Sequence, residues 1–221
     1  MSRQIIFDTE TTGISPDTGD RIVEIGCIEL IDRAQTGNNF HVYLNPERDM
    51  PDGAFKVHGL SADFLSDKPL FKDIAESFLE YIQDAELIAH NSKFDMGFLD
   101  AEYLRIGMDI ITPKFRVIDT LAIAKELRPG QRNSLDALCR AYSIDNTKRT
   151  LHGALLDAQL LTEVYLTMTG GQYSLMLDDA KPQSMDNLNV GMVCLQDLNI
   201  HIIHASADEL EAHQEFSRTH L

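Results

Sequence analysis

Residues 5–7 (Ile, Ile, Phe) are uniformly apolar, and carboxylates follow at Asp8 and Glu10. A short apolar run of this kind predicts a buried strand, with Gly13 and Pro16 closing a loop after it. Residues 21–31 form a longer β-rich run, and residues 38–44 another, with a turn at residues 35–38 between them. The pattern predicts three strands, antiparallel to one another. Pro46 and Pro51 end the third and open a loop carrying His58, Gly59 and Leu60. Phe71, Ile74, Ala75, Phe78, Leu79 and Ile82 then recur at helical spacing. Strand-like residues 87–89 precede a turn at residues 90–92 and a helix from Phe94 to Ile106. A strand at 116–119, a helix at 120–127 and a helix at 135–142 capped by Ser134 follow, and a last helix runs from about Gly153 to Thr169. The order implies a mixed α/β sheet flanked by helices.

Gly170 and Gly171 mark a boundary. We read residues 1–171 as the folded domain, 172–189 as a polar linker and 190–221 as a tail. Ser206, Ala207, Asp208 and Glu209 form a capping-box pattern before a short acidic helix. The tail's apolar residues are too few for a core of their own, so a partner is expected to order it. No apolar run approaches the roughly 20 residues of a membrane span, and residues 1–5 carry no signal-peptide pattern. Cys27, Cys139 and Cys194 are widely spaced, as expected of reduced thiols in a cytoplasmic protein. The net charge is −16, of which residues 171–221 hold −6. Any contact with nucleic acid must therefore be short and local, assisted by bound metal or by another protein.

Asp8 and Glu10, two residues apart in a strand, project to one face. Two like charges there call for a cation, and oxygen-only ligands suit Mg²⁺ or Mn²⁺. Asp95 falls in the first turn of a helix just past a strand end, where open α/β sheets bind ligands. Taken alone, Asp95 serves equally as a complement to the helix dipole. His152 starts the final helix, and Asp157 follows among Leu155, Leu156, Leu160 and Leu161, which is no setting for a purely solvated carboxylate. Together Asp8, Glu10, Asp95 and Asp157 match a two-metal phosphodiester hydrolase, in which two divalent ions lie about 4 Å apart. His152 fits the base that takes a proton from water.

Asp8-Thr9-Glu10-Thr11-Thr12-Gly13, then His90-Asn91 with Phe94-Asp95, then His152, Ala154 and Asp157 resemble the three motifs of the DEDDh 3′–5′ exonucleases. The resemblance spans residues 3 to about 170 and implies a ribonuclease H-like fold, four metal-binding carboxylates and His152 as general base. Residues 57–60, 132–139 and 148–158 are similar to the epsilon branch of that family, the proofreading exonucleases of bacterial DNA polymerase III. That similarity implies terminal-nucleotide contacts from Asp8, Glu10, Thr11, His58, Leu60, Asn91, His152 and Asp157, with Leu60 wedged against the base. Gln172, Ser174, Leu175 and Leu177 resemble a peptide that binds the beta sliding clamp, and residues 198–216 resemble the region docking on the polymerase alpha subunit. A small accessory subunit on the exonuclease domain is a further expected partner. Lys93, Arg128, Arg132, Lys148 and Arg149 are candidates for phosphate contacts. His201 and His204 lack the further ligands of a zinc site. Two alternatives remain at this point: a free-standing enzyme trimming RNA or single-stranded DNA, and a non-catalytic tether between polymerase and clamp.

Overall fold

Residues 2–147, 149 and 151–170 are the described part of a computed structural model. The linker, the peptide at 172–177 and the tail, with Cys194, His201 and His204, lie outside the described residues, as does Lys148. Strand β1 (Arg3–Thr11) runs further than its apolar core suggests, so Asp8 and Glu10 lie within the strand rather than beyond its end. It pairs antiparallel with β2 (Ile22–Ile31), and a register shift after Glu10 bends the strand where its second carboxylate sits. Positive φ at Asp32 and Arg33 turns β2 directly into a two-residue strand β3 (Ala34–Gln35), so the tight hairpin turn falls earlier than residues 35–38. Strand β4 (Phe40–Tyr43) also pairs antiparallel with β2, completing the expected antiparallel trio.

The segment expected to be a loop folds instead into α1 (Asp52–His58) and α2 (Ala62–Leu65). Leu65 of α2 is buried, but Phe55, Val57 and Phe64 are exposed, so no continuous buried stripe announces either helix. Gly59 caps α1 in the left-handed conformation, φ 73°. Helix α3 (Phe71–Ile82) precedes β5 (Glu86–Ala89), which adds to β1 in parallel. Helix α4 (Ser92–Arg105) leads to β6 (Val117–Asp119), parallel to β5, and then to α5 (Thr120–Leu127). Ser134 caps α6 (Leu135–Ala141) as expected, and α7 (Ala154–Gly170) closes the domain. The six-stranded sheet is thus mixed, ordered β3-β2-β1-β5-β6 with β4 on β2.

Alternation along β1 sends Ile5 and Phe7 to one face and Ile6, Asp8 and Glu10 to the other. The first face packs on α3 and α4 through Phe71, Phe78, Phe98 and Tyr103. On the second, Ile6, Leu30 and Ile88 meet Leu161 and Tyr165 of α7. Helix α7 is apolar on its outer side too, where Leu160, Val164 and Met168 pack against α5 and α6. Buried Glu102 of α4 takes two hydrogen bonds from Arg21, 2.7 and 2.8 Å, fixing that helix to the start of β2. Cys27 and Cys139 are buried free thiols. No helix among the described residues is long and apolar enough to cross a membrane.

Gly26, opposite Asp8 across the ladder, lets α7 approach the sheet: a Cβ there would lie 2.2 Å from the Leu155 backbone nitrogen. Rigid backbone atoms cannot swing away as a side chain can. Gly26→Ala is therefore expected to cost roughly 1–3 kcal/mol of stability and to shift the α7 start, which carries Asp157. Urea denaturation and nuclease activity, measured on the same preparation, check both effects.

Candidate active site

The C-terminal ends of the central strands β1 and β5 meet the N-terminal ends of α4 and α7 at one end of the sheet. Asp8 and Glu10 arrive on β1, Asp95 in the first turn of α4, and Asp157 in the first turn of α7. Glu10, Asp95 and Asp157 are buried, and Asp8 keeps some contact with solvent. Asp95 is held by Thr9, whose backbone N–H (3.1 Å) and hydroxyl (2.8 Å) both donate to Oδ1. Thr9 points to the opposite face from its neighbours Asp8 and Glu10, so one strand supplies two carboxylates and orients a third. That alternation was available in the sequence as a signal for Thr9.

His152 lies two residues ahead of α7, in the loop rather than on the helix, with its backbone N–H donating to Val57 O of α1 at 3.0 Å. Its half-exposed ring puts Nδ1 3.3 Å from Asp157 Oδ2. Glu10, His152 and Asp157 each offer a ligand atom within 4.8 Å of the others, a spacing open to a metal ion.

The electrostatics follow from this crowding. Burial, with Asp157 and Glu24 as negative neighbours, pushes Glu10 up to about 8. Burial pushes Asp95 up to about 7 in spite of the Thr9 bonds. Asp8 is raised well above the carboxylate range by desolvation and by Asp95, Glu10 and Asp157 around it. Asp157 goes the other way: burial would raise it, but the neighbouring His152 and Arg149 hold it below its ordinary value.

Arg149 was expected to face phosphate. It instead turns inward, its side chain almost fully covered, and donates to Asp157 from Nε and Nη2, to Asp136 from Nη1, and to His152 Nδ1 from Nη2. A cluster of acids offers an arginine more than solvent does. Arg128 likewise bonds locally, to Gln131 and Asn133.

Beside the carboxylates lies a cavity of about 510 Å³ whose walls include Thr9 to Ile14, Pro51, Ala54, Val57, His58 and Phe94. Thr11 is buried there with its hydroxyl donating to Gly13 O. His58 is buried, its Nδ1 accepting the Leu60 N–H at 3.0 Å, and its Nε2 has no hydrogen-bond partner among the described residues. Leu60 itself is half-buried outside the cavity lining, and Ile14 and Val57 are the exposed aliphatic side chains on it. Asn91 stands apart, exposed at φ 69° before α4, its N–H bonded to Asp119.

Comparison with known proteins places these residues in a family. The Exonuclease (RNase_T) family matches residues 5–165. The DNA polymerase III epsilon subunits of Salmonella typhimurium and Rickettsia prowazekii are 48% and 49% identical to this chain. Both alignments cover 97% of this chain, and 91% and 95% of the relatives. Exonuclease X, solved in complex with 5′ overhanging duplex DNA, superposes with a TM-score of 0.60 at 25% identity, over 78% of this chain and 93% of that one. E. coli exonuclease I, solved with a dT13 oligonucleotide, shares the fold at 18% identity, with a TM-score of 0.63 over 76% of this chain and 40% of that one. The chain belongs to the exonuclease family and, within it, to the epsilon subunits of DNA polymerase III, the proofreading 3′–5′ exonucleases.

Proposed function

We propose that this chain removes mispaired nucleotides from a DNA 3′ end, releasing 5′-monophosphates, with Asp8, Glu10, Asp95 and Asp157 holding two divalent cations, Mg²⁺ or Mn²⁺. The observation that carries this reading is the convergence of four carboxylates, three of them buried, at the ends of the central strands. The donor set fits hard dications: all ligands are oxygens, and the burial and mutual repulsion that raise Asp8 and Glu10 are what a dication offsets. Bound there, such ions supply Lewis acidity toward the phosphodiester and a more acidic water. Thr9 orients Asp95 for that duty, and His152 takes the proton of the attacking water. The neighbouring cavity receives the terminal nucleotide, its base against the apolar wall of Ile14, Val57 and Phe94 and its sugar near Thr11 and His58.

The relatives' names support a polymerase as partner. We assign the alpha subunit to residues 190–221 and the beta clamp to residues 172–177, with a small accessory subunit on the exonuclease domain. A cytoplasmic location fits this work. The negative charge then poses no difficulty, because the partners provide most of the grip on DNA.

Digestion of 3′-labelled primers, matched or mispaired, tests the reading. Mg²⁺-dependent removal favouring the mispair and stopped by EDTA is expected; trimming of short RNA with little action on DNA would overturn the substrate assignment. Activity on neither substrate would leave the tethering role.

The raised carboxylates also fix a pH dependence. Their folded-state values lie above the ordinary ones, so the stability they contribute is held at low pH and lost as pH rises through about 7 for Asp95 and about 8 for Glu10. Asp157 has the opposite sign, but its window lies below its ordinary carboxylate range. In EDTA the protein is therefore expected to melt lower at pH 9 than at pH 6, and Mg²⁺ is expected to raise Tm more at pH 9. Thermal melts across this range, with equal Mg²⁺ effects at both ends as the contrary result, check it.

A further inference from the structure

We infer that Arg149 is a latch on the catalytic site, competing with divalent metal for Asp157 and holding the His152 base blocked until it is displaced. The inference rests on the metal assignment above and goes beyond it. One guanidinium engages both Asp157 oxygens, with Nε on Oδ1 and Nη2 2.7 Å from Oδ2. The same Nη2 lies 2.7 Å from His152 Nδ1. A guanidinium has donors only, so Nδ1 must be the acceptor. That bond occupies the Nδ1 lone pair, and the same nitrogen of Arg149 also lies 3.4 Å from Nε2, so the guanidinium covers the ring that would meet the water.

The positive charge also sits where Glu10, His152 and Asp157 approach within 4.8 Å. A dication brought to that spot needs the Asp157 oxygens that the guanidinium fork already holds. Asp136 gives the latch its other end. Its Oδ1 accepts from Nη1 at 2.8 Å and from Asn146 Nδ2 at 3.0 Å, so Arg149 keeps an ionic partner on leaving Asp157. Asp136 is about half exposed, at 43% for its side chain, so that partner stands on the outer side of the cluster.

Calorimetric titration of the whole chain with Mn²⁺ tests this, comparing wild type with Arg149→Lys and Arg149→Gln. Lysine retains the charge but cannot reproduce the planar fork. The latch predicts roughly tenfold tighter Mn²⁺ binding in both variants, the size expected when charged hydrogen bonds cease to compete. Wild-type or weaker affinity in Arg149→Lys overturns it. Tightening in Arg149→Gln alone would also overturn it, since charge rather than the fork would then be responsible. A second measurement needs no variant: in wild type, saturating Mg²⁺ should abolish the protected Arg149 Nε–H resonance, and its persistence overturns the latch even if the variants do not fold. Absence of Mn²⁺ binding in every protein overturns the metal assignment and the latch together; equal binding in all overturns the latch alone.

Discussion

Asp8→Ala is expected to slow release of the 3′-terminal nucleotide roughly a thousandfold, the several kcal/mol that metal-assisted charge stabilisation contributes to such a displacement. Asp8 stands among Glu10, Asp95 and Asp157, and its carboxylate is destabilised by burial and by all three. A residue kept in so unfavourable a place is needed for something other than folding. The variant should therefore fold, and in EDTA its Tm should match or exceed that of wild type, because one member of a repelling set is gone. Loss of activity with a lowered Tm would point to simple unfolding. Activity within about tenfold of wild type in Asp8→Ala combined with Asp157→Ala would sink the metal assignment.

His152→Gln is expected to lower the maximal rate by about 10²–10⁴-fold, the range for removal of a general base. The structure sets a second reading beside that one, since His152 is also within ligand distance of Glu10 and Asp157. Mn²⁺ titration separates the two. A base leaves Mn²⁺ affinity within a few-fold of wild type while activity falls, whereas a ligand lowers both together. The backbone bond from His152 to Val57 survives the substitution, so the loop should keep its place against α1.

Where motif and periodicity coincided, the sequence was a good guide. Asp8 and Glu10 share a face because strands alternate, and Asp95 and Asp157 fall in the first turns of α4 and α7. Helix α3 was legible because its apolar stripe is buried at Phe71, Ala75, Phe78 and Ile82. Helices α1 and α2 were not, since short helices with exposed Phe55, Val57 and Phe64 carry no such stripe. The cavity wall that α1 forms was hidden with it. Arg149 was misplaced for a different reason: local sequence shows a cation beside a basic neighbour, while its partners Asp136 and Asp157 come from two separate helices. Thr9 was passed over as a spacer between two carboxylates, although the alternation that joins Asp8 to Glu10 also aims Thr9 at Asp95. The register that joins β4 rather than β3 to the middle of β2 depends on pairing across the sheet and had no local signature.

The most direct test of the central claim is anomalous diffraction from crystals of this chain grown with Mn²⁺. The account predicts two peaks among the carboxylates of Asp8, Glu10, Asp95 and Asp157, both lost in Asp8→Ala. Peaks elsewhere on the molecule, or none in this cluster at saturating Mn²⁺, would contradict it.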